Sequence, residues 1–182
     1  MKSFISMNDH KGFENSPAFY MKKALQLAKK ASSLRETPIG AVIVKDNEII
    51  ARGYNIREKN QDVTLHAEMI AIRKACRKLD SWRLDGCDLY VTLEPCIMCA
   101  GAIQQAKIRK VYFGAVEPKG GAVVSQAHVF DLTLNHKVGY EGGIMANESA
   151  LLMTSFFTDM RAKDRQTGLT KGQRRNFNKK IE

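Results

Sequence analysis

Segments with strand character and segments with helix character alternate along this chain, which predicts an α/β fold, a sheet with helices on its faces. Two observations carry the prediction. Short apolar runs at residues 39–44, 49–54, 88–93, 110–114 and 136–141 supply about five strands. Between and around them, apolar residues recur at the three-and-four spacing of amphipathic helices. Hydrophobic residues make up 44% of the 182 and charged residues 26%, enough to bury a core and too apolar for wholesale disorder.

The first helix is expected to begin at Ser16-Pro17, with the serine as cap and proline in the first turn. Phe19, Met21, Ala24, Leu25, Ala28 and Ala31 continue it at helical spacing. The strands at 39–44 and 49–54 are joined through Lys45-Asp46-Asn47-Glu48. Asp and Asn tolerate left-handed turn geometry, so these strands form a hairpin. A second helix is predicted over 64–79, with Leu65, Met69, Ile72, Cys76 and Leu79 as its buried stripe. The strand at 88–93 leads to a helix over 95–106, and the strand at 110–114 to a segment, 115–135, read mostly as loop. A last short strand precedes a helix over 145–160.

The organisation is a loose arm (1–15), one globular body (16–161) and a basic tail (162–182). From Arg161 onward eight Lys or Arg stand against Asp164 and Glu182, most of the net charge of +10. That balance suits a polyanionic partner or simply a solubilising tail. No apolar run approaches the roughly 20 residues of a membrane span, and the N-terminal residues turn polar too early for a secretory signal. Four cysteines without an export signal point to a reducing, cytoplasmic setting, where Cys-x-x-Cys signals metal or redox chemistry.

Two short patterns carry the chemistry. His66-Ala67-Glu68 opens the second predicted helix, and Pro95-Cys96-Ile97-Met98-Cys99 opens the third. Cys96 and Cys99, three apart, share a helix face in a first turn whose free N–H groups favour thiolate, the metal-binding form. With His66 they make a nitrogen–sulfur set suited to zinc, with a fourth position left open as in catalytic sites. Glu68 beside it is placed for proton transfer. Residues two apart point to opposite sides of a regular helix, so His66 must lie at the irregular helix start. A Cys-x-x-Cys pair alone would equally serve a structural zinc or a redox couple. A closed four-ligand site would need Cys76 or Cys87; Cys76 fits the buried stripe, and Cys87 precedes a strand without a paired cysteine.

In this order, the two patterns resemble the zinc-dependent nucleobase deaminase superfamily. The flanking residues Gly53-Tyr54-Asn55, His66 to Ile72, Leu89 to Ile103, Phe113-Gly114-Ala115 and Asn135-His136 are similar to the bacterial tRNA-specific adenosine deaminases. The resemblance spans about residues 16–161 and leaves out the arm and the tail. It implies a three-layer α/β/α cytidine-deaminase-like fold and one zinc per subunit on His66, Cys96 and Cys99. Glu68 becomes the catalytic proton carrier and Asn55 a contact to the target base. The loop holding Glu117 and Lys119 becomes the substrate-side loop. Taken without the family, Asn55 reads as a turn residue and Lys119 as a solvated lysine. Two departures stand out: Glu117 where Asp is common, and Val123-Val124-Ser125 in place of a more glycine-rich stretch.

The implied activity is hydrolytic conversion of adenosine to inosine at the wobble position (34) of a tRNA, an arginine tRNA, with release of ammonia. The implied partners are the tRNA anticodon stem-loop and a second copy of the chain in a homodimer, with no membrane. The base must be splayed out of a single-stranded loop for its C6 to be reached. Alternatives are a guanine, cytidine or deoxycytidylate deaminase acting on a free base or nucleotide, and a nucleic-acid-binding module with structural zinc.

Overall fold

The computed structural model describes residues 15–168, so residues 1–14 of the expected arm (1–15) and 169–182 of the expected tail (162–182) lie outside the described residues. Helix α1 (Pro17–Ser33) starts as its sequence dictates. Ser16 has extended backbone and its Oγ accepts from the Phe19 N–H at 3.2 Å. Strands β1 (Gly40–Lys45) and β2 (Glu48–Tyr54) form the expected antiparallel hairpin. Asp46 and Asn47 both have positive φ, 49° and 64°, the geometry of a two-residue turn matched to the twist of its strands. A four-residue helix, α2 (Arg57–Asn60), follows; it has no apolar periodicity and the sequence did not announce it. Then come α3 (Ala67–Leu79), β3 (Asp88–Leu93), α4 (Ile97–Gln105), β4 (Lys110–Ala115), a 3-10 turn at Val129–Asp131 and β5 (Gly139–Glu141). Helix α5 (Ala146–Thr167) closes the described chain.

The five strands form one mixed sheet in the order β2-β1-β3-β4-β5. β1 is antiparallel to both β2 and β3, whereas β4 is parallel to β3 and to β5. β2, β3 and β4 therefore run the same way, and the segments leaving them emerge at one edge of the sheet. Alternation along the strands sorts the core into two layers. Ala41, Ile43, Leu89, Val91, Val111 and Phe113 meet α3 and α4 on one face. Val42, Val44 and Tyr90 meet Tyr20 of α1 on the other, where α5 also packs through Leu152 against Met21 and Leu25. This is the three-layer α/β/α arrangement.

Two glycines bring helices onto the sheet. A Cβ on Gly40 would lie 2.1 Å from the Ala24 carbonyl oxygen of α1, and one on Gly53 only 2.0 Å from that of Ala67 in α3. The second contact corrects the predicted stripe of α3. The buried face is Ala67, Glu68, Ala71, Ile72 and Ala75, while Leu65, Met69, Cys76 and Leu79 are only half-buried. Small residues let the helix backbone lie against β2, an advantage that ranking by hydrophobicity does not reveal. Helix α5 also runs past its predicted end at residue 160. Residues 161–167 are largely good helix formers, and Gly168 closes the helix in left-handed geometry.

Candidate active site

Asn55, His66, Glu68, Cys96, Cys99, Glu117 and Lys119 lie on segments that leave β2, β3 and β4 at their shared edge, whereas Cys76 and Cys87 do not. Asn55 directly follows β2, and the Ile56 N–H donates to the Leu65 carbonyl at 3.1 Å, tying this stretch to the start of α3. His66 is the N-cap of α3 with extended backbone (φ −74°, ψ 156°), and its carbonyl accepts from the Ile70 N–H. This is the irregular helix start that a shared pocket with Glu68 requires. Cys96 caps α4 with nearly the same backbone (φ −74°, ψ 172°), and Cys99 stands in the first turn beyond it. Because both helices begin at the same sheet edge, the two caps meet.

The ligand atoms of His66, Cys96 and Cys99 lie within 4.8 Å of one another. His66 Nδ1 is 3.7 Å from Cys96 Sγ and 3.6 Å from Cys99 Sγ. Tetrahedral zinc with Zn–S near 2.3 Å and Zn–N near 2.0–2.1 Å requires nitrogen–sulfur edges of about 3.6 Å. The donor set thus fits zinc in type and in spacing. Among the described residues, the metal-binding group includes neither Cys76 nor Cys87. Cys87 is buried in the core, and Cys76 Sγ lies 3.7 Å from the Trp82 carbonyl.

The two cysteines respond to this geometry in opposite directions. A hydrogen bond from the Cys99 thiol, reinforced by His66, holds Cys96 as a thiolate with its pKa down to about 4. Cys99, the donor of that bond and buried, is shifted upward. Contact with Cys96 raises His66 as well. Glu68 is 3% exposed, and burial is the main cause of its raised pKa, with the Cys96 thiolate adding to it. Its Oε2 is buried without a hydrogen-bond partner among the described residues. A carboxylate in that state beside three metal-binding atoms is suited to taking up and returning a proton.

The loop after β4 forms the other wall. Cys96 and Gly121 make a β-bridge, and the Ala122 N–H donates to the Pro95 carbonyl at 2.8 Å. Glu117 Oε1 accepts from the Lys119 N–H at 3.1 Å, which steadies the turn, while Lys119 is exposed. Two buried carboxylates that sequence reasoning missed organise these walls. Glu94, just before Pro95, accepts from the N–H groups of Val123, Val124 and Ser125 on Oε1, and from the Glu117 N–H and the Ser125 hydroxyl on Oε2. Burial alone would raise its pKa, but these hydrogen bonds outweigh it and hold the group below the ordinary carboxylate value. Glu36, in the connection between α1 and β1, binds Asn55 and the first turn of α2. A run of neighbouring backbone donors around each carboxylate is visible only once the loops are folded. Phe130, in the 3-10 turn beyond this loop, lies in the core.

A zinc-type donor triad at two helix caps, with a buried carboxylate beside it on an α/β/α sheet, is the arrangement of a hydrolytic deaminase centre. Residues 14–115 match the family model described as the cytidine and deoxycytidylate deaminase zinc-binding region, and the chain belongs to that family. Within it, the chain is 46% identical over 145 residues to the tRNA-specific adenosine deaminase of Bacillus subtilis, covering 79% of this chain and 90% of that one. The enzyme of the same name from Aquifex aeolicus is also 46% identical, over 79% of this chain and 95% of its own length. A solved structure from work on A-to-I editing by tRNA:A34 deaminases at the wobble position of transfer RNA superposes with a TM-score of 0.71 at 48% identity, covering 73% of this chain and 97% of that one. A guanine deaminase from Bacillus subtilis is more distant, with a TM-score of 0.52 at 37% identity over 64% of this chain and 85% of its own.

Proposed function

We propose that this protein hydrolyses adenosine to inosine at wobble position 34 of a tRNA, an arginine tRNA, releasing ammonia. The observation that carries deamination is the His66–Cys96–Cys99 triangle with the unpartnered Glu68 oxygen beside it. The choice of tRNA over a free base rests on the names of relatives 46–48% identical and on the net charge of +10.

His66, Cys96 and Cys99 would hold the zinc, which supplies Lewis acidity that makes water a competent nucleophile near neutral pH. Glu68 accepts the proton released from that water, then protonates N1 of adenine as C6 is attacked. The same carboxylate then takes the proton of the new C6 hydroxyl and passes it to the amine, which leaves as ammonia as the C6 carbonyl forms, so one residue serves each transfer in turn. Its burial keeps bulk water from competing for the proton. Asn55 orients the base from the end of β2, and Glu117 and Lys119 lie on the opposite wall, where the tRNA backbone passes. Phosphate contacts by Lys and Arg supply salt-dependent affinity without reading sequence.

The target base reaches this pocket only when splayed out of the anticodon stem-loop. We place the catalytic domain at 16–161, flanked by the arm (1–15) and the basic tail (162–182), and expect two subunits to pair in the cytoplasm. Among the described residues no helix is long and apolar enough to cross a membrane.

The test is mass analysis of nucleosides from tRNA, and from free adenosine, guanine and cytidine, after incubation with zinc-loaded protein. Inosine in tRNA alone supports the reading. Turnover of guanine or of free nucleosides without tRNA editing would move the protein to the alternative class. Glu68→Gln should keep zinc and lose roughly a hundredfold or more in rate; a fully active variant would remove Glu68 from the mechanism.

A further inference from the structure

Glu36 is 1% exposed, and the partners of its carboxylate are all N–H donors from one short stretch. Oε2 accepts from Asn55 Nδ2 at 3.0 Å and from the Glu58 N–H at 3.2 Å. Oε1 accepts from the Lys59 N–H at 2.6 Å. Glu36 is thus a cap for α2 supplied from another part of the chain. It also constrains Asn55 in a way that ordinary packing could not. An amide side chain is nearly symmetric in shape but polar in opposite senses at its two ends. An ionised carboxylate can only accept, so the amino end of Asn55 must face Glu36 and the carbonyl end must face away. Asn55 is itself 3% exposed, leaving no water layer through which the reversed amide could be accommodated.

We propose that Glu36 is a positioning residue for the deamination, acting through Asn55: it fixes which end of the buried amide is offered to the target base. The inference rests on the reading that Asn55 touches the base. It also explains why a carboxylate, rather than an amide, is buried at 36. In Glu36→Gln one oxygen becomes an NH2 group. At the Oε1 position that group would oppose the close Lys59 N–H, so the amide nitrogen settles at Oε2, facing Asn55 and Glu58. Asn55 then relieves its part of the donor–donor conflict by rotating its amide and accepting from Gln, while the Glu58 N–H, farther away at 3.2 Å than the Lys59 N–H at 2.6 Å, is left opposed. The base meets a donor where an acceptor stood, although Asn55 is still present.

A double-mutant cycle on zinc-loaded enzyme with tRNA tests this, comparing wild type, Glu36→Gln, Asn55→Ala, the double variant and Glu36→Asp. Glu36→Gln and Asn55→Ala should each lower kcat/KM about 10–100-fold, the range expected for misplaced catalytic geometry. The loss should fall mainly in kcat, because phosphate contacts carry most of the tRNA affinity. The double variant should be no worse than Asn55→Ala, whereas Glu36→Asp, which keeps an accepting carboxylate, should recover most of the activity. Multiplying losses in the double variant, or a fully active Glu36→Gln, would overturn the proposal. An Asn55→Ala enzyme with wild-type kinetics would instead overturn the base contact, and positioning with it. Zinc content and thermal melting accompany each variant. If Glu36→Gln does not accumulate folded, Glu36→Ala produced at low temperature takes its place, with and without Asn55→Ala, under the same criteria.

Discussion

Replacing Glu94 by Gln removes one charge and one acceptor from the most heavily bonded carboxylate at the site, and the structure sets the size of the effect. If the new amide nitrogen took the Oε1 position it would oppose three backbone N–H groups, those of Val123, Val124 and Ser125. At Oε2 it meets the Ser125 hydroxyl, which can turn to accept, and only the Glu117 N–H is left opposed. Gln therefore adopts the second orientation. Stranding one buried N–H costs about 1–3 kcal/mol, and exchanging charge-assisted hydrogen bonds for neutral ones costs a further amount of similar size. The sum is about 3 kcal/mol, a fall of roughly 6–12 °C in Tm for a chain of this length. Thermal melting of the zinc-loaded protein, with zinc quantified before and after, measures it. Because the loop lies against Cys96, turnover on tRNA should fall as well while zinc stays stoichiometric. A Glu94→Gln variant melting within about 2 °C of wild type would refute the idea that this carboxylate anchors the loop.

The other expectations are simpler. Gly53→Ala puts a Cβ 2.0 Å from the Ala67 carbonyl oxygen, so α3 must shift and carry His66 and Glu68 with it; stability should drop by about 1–3 kcal/mol, read by denaturant unfolding, with reduced turnover. Cys99→Ser should hold no stoichiometric zinc by elemental analysis, and a chelator should lower the Tm of wild type but not of this variant. Glu94 has a depressed pKa when folded, so its contribution is complete above the unfolded value near 4.5 and is lost as pH falls through the lower folded value. Melting measured from pH 6 downward should therefore show wild type losing its advantage over Glu94→Gln only below about pH 4.5.

The strands, the hairpin and the helix caps were legible because each depends on neighbours in sequence. Ser16-Pro17 and Asp46-Asn47 set local backbone geometry without help from the rest of the chain. The zinc triad was legible as two compact patterns, and its spacing to Glu68 even required the capping position His66 occupies. Properties created by contact between distant segments were not. The alanine face of α3 faces inward because Gly53 removes a side chain from the strand beneath it. Glu94 and Glu36 gave no signal of their own, since their partners lie about 19–31 positions away and are mostly backbone groups with no residue signature. Helix α2 is held from outside by Glu36, so its own sequence shows no periodic face.

Because β2, β3 and β4 share one direction, the far rim of the sheet is spared from the reaction. There the Asp46–Asn47 turn lies about one strand length, roughly 20 Å, from the edge that carries the triad. A fluorophore or affinity handle grafted at that hairpin tip would ride on the rigid frame at the end of the sheet away from the triad. The molecule thus offers its experimenters a silent end and a working end.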